Sequence, residues 1–287
     1  MNNDHKVLAC VTPSRYADTV ADAAAWAAQR MSAPLEFLHV IDRHPPLGPG
    51  QDHSGAIGLD AQETLLAQLS DQDATRTRDA REAGRLFLNR LREQAVANGV
   101  ESVDVRLRHG DIEDTLTEQQ AGVRLFVLGR RGAGTETTER ALGRQVEWVV
   151  RSVDRPVLVV PEPFQTPTRV LFAFDGSSVT RRGVGMVADS PMFKGLPIHL
   201  LMSGKPESQV PRLLEEARKT LEAAGFAATA AIEPGDPQAV INNAVKTQGF
   251  DCLVMGAYSH SPWRSLFVGS RTTDLLKASG VPTLLLR

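Results

Sequence analysis

The chain repeats itself, and the repeat limits its fold more than any single residue does. Each half opens on a short apolar strand, Lys6 to Val11 and Arg169 to Phe174, followed by a turn, Thr12-Pro13-Ser14 and Asp175-Gly176-Ser177. Each later has an extended stretch ending in Gly-Asp, at Gly110-Asp111 and Gly235-Asp236. A second apolar strand then ends in glycine, at Gly129 and Gly256, and each half closes on a helix and a last apolar strand, Arg155 to Val160 and Val281 to Leu286. The offsets agree: 125 residues between the Gly-Asp glycines, 127 between the strand-end glycines and 126 from Pro156 to Pro282.

One offset breaks the series. Thr12 and Asp175 are 163 apart, because 98 residues separate Thr12 from Gly110 and only 60 separate Asp175 from Gly235. The first half therefore carries an insertion, placed at about 43–81. It begins with a Pro/Gly loop, Pro45 to Gly58, and turns helical from Asp60 to Asn98. The polar run Asp71 to Arg81 reads either as a break or as an exposed face. Between the halves, Pro161, Pro163 and Pro167 disfavour helix and central strand, so the joint is a stiff linker. The expected domains are 1–162 and 168–287.

Strands of nearly continuous Val, Ile and Leu are buried on both faces, which requires a parallel sheet covered by helices. The expected fold is thus α/β: two tandem Rossmann-like domains, each a five-stranded parallel sheet flanked by helices. Asp18 to Met31 reads as a helix; its counterpart is weakened by Gly183, Gly185 and Pro191. In each Gly-Asp pair, glycine permits the turn and Asp caps the next helix, with Pro237 at a first helical position where its missing N–H costs nothing.

Composition narrows the function. A net charge of −2 leaves no strong footprint for nucleic acid or an anionic membrane. There is no apolar run of transmembrane length and no secretory signal. Cys10 and Cys252, one inside a strand of each half, read as free core thiols, which suits a reducing compartment and a cytoplasmic location. The seven histidines show no zinc-ligand spacing. Neither first turn supplies Gly-x-Gly-x-x-Gly, and no Gly-x4-Gly-Lys-Ser/Thr exists, so a Rossmann dehydrogenase and a Walker ATPase are both disfavoured.

In open parallel sheets, ligands sit outside the C-terminal strand ends where strand order reverses. Asp175, Gly235 and Gly256 all fall at such ends. After Gly256 the sequence continues through Ser259 and nine further residues to Gly269-Ser270; the first half reads Gly129, Gly132, ten residues, then Gly143-Arg144. Glycines let a backbone approach phosphate, and the following helix N-terminus offers unpaired N–H groups.

This pattern closely resembles the universal stress protein signature, Gly-x2-Gly-x9-Gly-Ser/Thr, and the resemblance covers nearly the whole chain apart from the insertion. It implies a fold like that of the adenine nucleotide alpha hydrolase group and an ATP or AMP ligand, with Mg²⁺ possible. It further implies that Asp175 holds the nucleoside, that the backbone near Met202 borders the adenine, and that Gly235, Gly256, Ser259, Gly269 and Ser270 complete a nucleotide site in the second half. The first half would carry a degenerate site of Thr12, Val40, Gly129, Gly132, Gly143 and Arg144. There Thr12 replaces the Asp, Arg144 replaces the Ser/Thr and the spacing is one longer; in the second half Ser259 replaces a glycine. The family also dimerises through the last strand, which implies an intrachain pseudo-dimer pairing Val157–Val160 with Thr283–Leu286, association of two whole chains being left open.

The remaining polar residues weigh less. Arg130 and Arg131 read as solvated loop arginines, His260 and Trp263 as loop packing, Trp26 and Trp148 as helix packing groups. Glu36, His39 and Asp42 form no constellation in the sequence. The expected protein is a nucleotide-responsive stress protein without dedicated catalysis. The alternatives are a weak Mg-dependent ATPase and a nucleotide-free scaffold or ligand-binding protein.

Overall fold

A computed structural model describes residues 5–41, 59–130, 144–204, 210–257, 275–276 and 279–287. The first half runs β1 (Lys6–Cys10), α1 (Ala17–Met31), β2 (Leu35–Ile41), α2 (Leu59–Ala97), β3 (Val103–His109), α3 (Ile112–Gln119), β4 (Val123–Gly129), α4 (Arg144–Ser152) and β5 (Val157–Val160). The second runs β6 (Val170–Ala173), α5 (Ser178–Asp189), β7 (Ile198–Ser203), α6 (Val210–Ala223), β8 (Ala228–Glu233), α7 (Pro237–Thr247), β9 (Cys252–Gly256) and β10 (Thr283–Leu286).

These strands make one ten-stranded sheet in the order β3-β2-β1-β4-β5-β10-β9-β6-β7-β8. Every pairing within a half is parallel, as the doubly buried apolar strands require. The halves meet where β5 and β10 pair antiparallel, Leu158 opposite Leu284. That is the pairing expected from the sequence, and it covers two apolar strand edges with each other. Two apolar layers result, one on each face of the sheet. One holds Val7, Phe37, Trp26, Phe172 and Met202; the other holds Leu8, Phe126, Val149, Leu253 and Leu285.

The linker is packed down. The Phe164 ring lies 6.0 Å from Trp26, whose other neighbour is Phe193 of the second half at 6.4 Å. Arg30 of α1 donates to the Met192 carbonyl at 3.0 Å, a second tie across the halves.

Two elements decide points that the sequence left open. α2 is one continuous helix of 39 residues, so the polar run 71–81 does not break it. Its C-terminal part docks on the sheet through Leu88, Leu91 and Ala95, whereas residues 75–79 and 81–83 are exposed. Its counterpart α6 has 14 residues, so the insertion is an N-terminal helical extension preceded by the Pro45–Gly58 stretch, which lies outside the described residues. The second-half helix weakened by glycines does form, as α5. A Cβ on Gly183 would clash with Leu286 Cδ1, so that glycine lets α5 lie close on the sheet, and close packing outweighs helix propensity. Pro191 falls beyond α5, in a 3₁₀ turn at Pro191–Phe193.

Candidate functional site

Both Gly-Asp pairs are built as the sequence predicts. Gly110 and Gly235 share a φ of 139°, a region that L side chains rarely adopt. The Asp111 carboxylate accepts from Glu113 N–H at 2.6 Å, and Asp236 accepts from Gln238 and Ala239 N–H at 3.0 and 3.2 Å. These aspartates cap α3 and α7, and Gly235 makes the turn after β8, with β7 between that strand and β6.

In the second half, strand order reverses between β6 and β9, and of the candidate residues Asp175 and Gly256 follow or end those two strands. Asp175 follows β6. Its Oδ1 accepts from Ser177 N–H at 2.9 Å and from the Thr180 hydroxyl at 2.7 Å. Thr180 is buried, so the carboxylate is aimed from a fixed base. Asp175 itself is exposed, and its Oδ2 makes no hydrogen bond among the described residues. The turn continues through Gly176 at φ 72°, and a Cβ there would lie 3.4 Å from Leu213 and 3.9 Å from the Met202 methyl. Met202 is thus a buried apolar floor beneath the turn. Gly256 ends β9 across the crevice, where a Cβ would press on Thr180 Cγ2 at 3.2 Å and Val179 Cγ1 at 3.3 Å. The absent side chain lets the start of the glycine loop approach the base of α5. An exposed acceptor over an apolar floor beside a bare strand end fits a ligand with hydroxyl donors and a planar apolar body. Ser259, Gly269, Ser270, His260 and Trp263 lie outside the described residues.

The first half shares the frame with different groups. Val11 N–H bonds Leu38 O at 2.9 Å, as Phe174 N–H bonds Leu201 O. Thr12 is half-buried where Asp175 stands, so no carboxylate faces the crevice. Strand register pairs Cys10 with Leu38 and Ala173 with Leu201. One residue further, the first-half position matching Met202 is His39, and Val40 matches Ser203. Sequence reasoning missed this residue, although the 163-residue offset carries the signal. His39 is buried, its ring meets Phe87 edge-on at 5.7 Å, and its Nδ1 lies 3.1 Å from the Val11 carbonyl. Burial holds its pKa below the ordinary histidine value, against the pull of that carbonyl, and nearby His109 lowers it further. Gly129 ends β4 and Arg144 begins α4; Gly132, Gly143 and Arg131 lie outside the described residues.

Elsewhere, Glu36 is buried in an ion cluster that sequence reasoning also missed, with Lys6 Nζ and Arg106 Nε each at 2.9 Å. Cys252 is buried and Cys10 partly so, and both are free thiols whose pKa values burial pushes up. Among the described residues no group of three or more His, Cys, Asp or Glu is placed to hold a metal, and no helix is long and apolar enough to cross a membrane.

A pair of Rossmann-like domains, each with its crevice at the strand-order reversal, is the class this architecture defines. Comparison with known proteins gives the family. The model of the universal stress protein family matches residues 4–161 and 167–287. The chain is 32% identical over 284 residues to universal stress protein Slr1230 of Synechocystis, covering 98% of this chain and 99% of that one. In fold it is similar to a universal stress protein from Archaeoglobus fulgidus, with a TM-score of 0.72, 18% identity and 99% and 98% of the two chains covered. It is also similar to a putative universal stress protein from Pseudomonas aeruginosa, with a TM-score of 0.63, 19% identity and 99% and 93% covered. The chain belongs to the universal stress protein family, in tandem form.

Proposed function

We propose that this protein is a cytoplasmic, nucleotide-responsive stress protein that binds ATP or AMP in its second half and performs no dedicated catalysis. The exposed Asp175 carboxylate carries the reading: it is fixed by Ser177 and Thr180 beside Gly256 and above Met202. Its outer oxygen would accept from ribose hydroxyls, Met202 would border the base, and the loop through Ser259, Gly269 and Ser270 would hold the phosphates at a helix N-terminus. Mg²⁺ would then be bound through the phosphates rather than by a protein cage. The first half lacks the carboxylate and has a buried histidine at the position of the apolar floor, which favours the second half as the nucleotide site.

Occupancy would order the glycine loop and change the surface that partners meet. Calorimetric titration of the wild type and Asp175→Ala with ATP, ADP and AMP in Mg²⁺ tests this. Binding that is lost in the variant is expected. No heat and no thermal shift at millimolar nucleotide would refute the reading and leave a nucleotide-free scaffold. Steady phosphate release by the same samples would replace it with a weak ATPase.

A further inference from the structure

The seam between the halves holds a repeated contact that the sequence repeat does not explain. Val153 N–H bonds Val149 O at 3.0 Å and closes the last turn after α4; 126 residues on, Ser279 N–H bonds Leu275 O at 2.7 Å and closes the matching turn of the second half. In the sequence each of these helical ends follows the glycine motif of its own half. In both, the carbonyl of the closing residue is held by an arginine from the other half. Arg130 Nη1 donates to Ser279 O. Arg287 donates from Nε to Val153 O at 3.1 Å and from Nη2 to Arg151 O at 2.7 Å.

The two arginines are not repeat counterparts. Arg130 N–H bonds Val160 O at the end of β4, a place taken by Ala257 in the second half, whose N–H bonds Leu286 O. Arg287 follows β10, where the first half has Pro161. One task is therefore met from two different strand ends, so it is not a by-product of duplication. A guanidinium at a helix C-terminus satisfies orphan carbonyls and complements the helix dipole.

The position of Arg130 adds the consequence. It directly follows Gly129 at the end of β4, while its side chain grips the carbonyl of Ser279, which closes the helical turn from Leu275 in the opposite half. We infer that Arg130 and Arg287 are positioning residues that couple the two halves, each steadying a helical end of the other. Displacing the Arg130 side chain loosens the Ser279 end and thereby changes ligand affinity in the second half. This part rests on the nucleotide reading above; the structural linkage does not.

Hydrogen exchange by mass spectrometry on the full chain tests the linkage without any ligand. Arg130→Ala is expected to speed exchange around 275–280 in the opposite half, and Arg287→Ala to speed it around 144–153, each by about two- to fivefold. Faster exchange confined to the half that carries the substitution, or none, overturns the inference. MgATP titration of Arg130→Ala is the second arm, with affinity in the second half expected to weaken about two- to fivefold. Unchanged affinity beside crossed exchange overturns the coupling to ligand and leaves the brace. Absence of binding by the wild type refutes the nucleotide reading alone, because the exchange result still decides the linkage.

Discussion

Replacing Glu36 by leucine removes the anion from the most buried charged group of the first half. Glu36 is 1% exposed and Lys6 9%, whereas Arg106 is 36% exposed. All three lie on one face of β1, β2 and β3. In Glu36→Leu the Arg106 head can turn to water, so its share is that of a partly exposed pair, below about 1 kcal/mol. Lys6 cannot, and an ammonium left buried and unpaired costs about 3–5 kcal/mol. The loss should therefore be about 3–4 kcal/mol and come almost wholly from Lys6. At roughly 2–4 °C per kcal/mol for a unit of this size, melting falls by about 10 °C.

The double variant Lys6→Met/Glu36→Leu removes both charges and should recover most of that loss, since apolar replacement of a buried pair is often neutral or stabilising. Urea denaturation followed by tryptophan fluorescence gives the midpoints. A double variant as unstable as Glu36→Leu would refute the reasoning, because the cost would then lie in packing around Glu36 and not in the stranded charge. A loss under about 1 kcal/mol in the single variant would refute it from the other side, by showing the cluster to be hydrated.

Two further expectations concern stability. Burial depresses the folded-state pKa of both His39 and His199, the latter against the opposing charge of Glu233. Above the unfolded value of about 6.5 both states are neutral; below it the unfolded chain takes protons first, so stability falls as pH drops from about 7 towards 5. Melting temperature against pH should fall less steeply in His39→Gln than in wild type, and identical slopes would exclude His39 as a contributor. Asp111→Ala and Asp236→Ala each remove a helix cap and should cost about 1 kcal/mol in urea midpoints. Lying in separate halves, they should add in the double variant, and marked non-additivity would contradict independent caps.

The legible parts of this fold were those written in local chemistry or in the repeat. Apolar strands, Gly-Asp caps, the proline joint and the β5/β10 seam all follow from patterns a few residues long or from offsets near 126. Propensity alone left α5 a weak helix, because what glycine costs it at 183 is outweighed by contact with Leu286, a residue 103 positions away. The sequence reading put Val40 in the degenerate site and set His39 aside, whereas the 163-residue offset and the pairing of Leu38 with Cys10 both put His39 at the position of Met202. The arginine contacts were not legible at all. They join residues 149 and 134 apart, from strand ends that the repeat does not equate.

The antiparallel join of β5 and β10 gives the molecule a polarity of its own. Parallel strands within each half place both crevices at C-terminal strand ends, and the reversal at the seam turns one set of ends up and the other down. The two mouths thus open on opposite margins of a single sheet. A bulky protein docked over one of them leaves the other unobstructed. Whatever enters one mouth therefore approaches from the side opposite to the other.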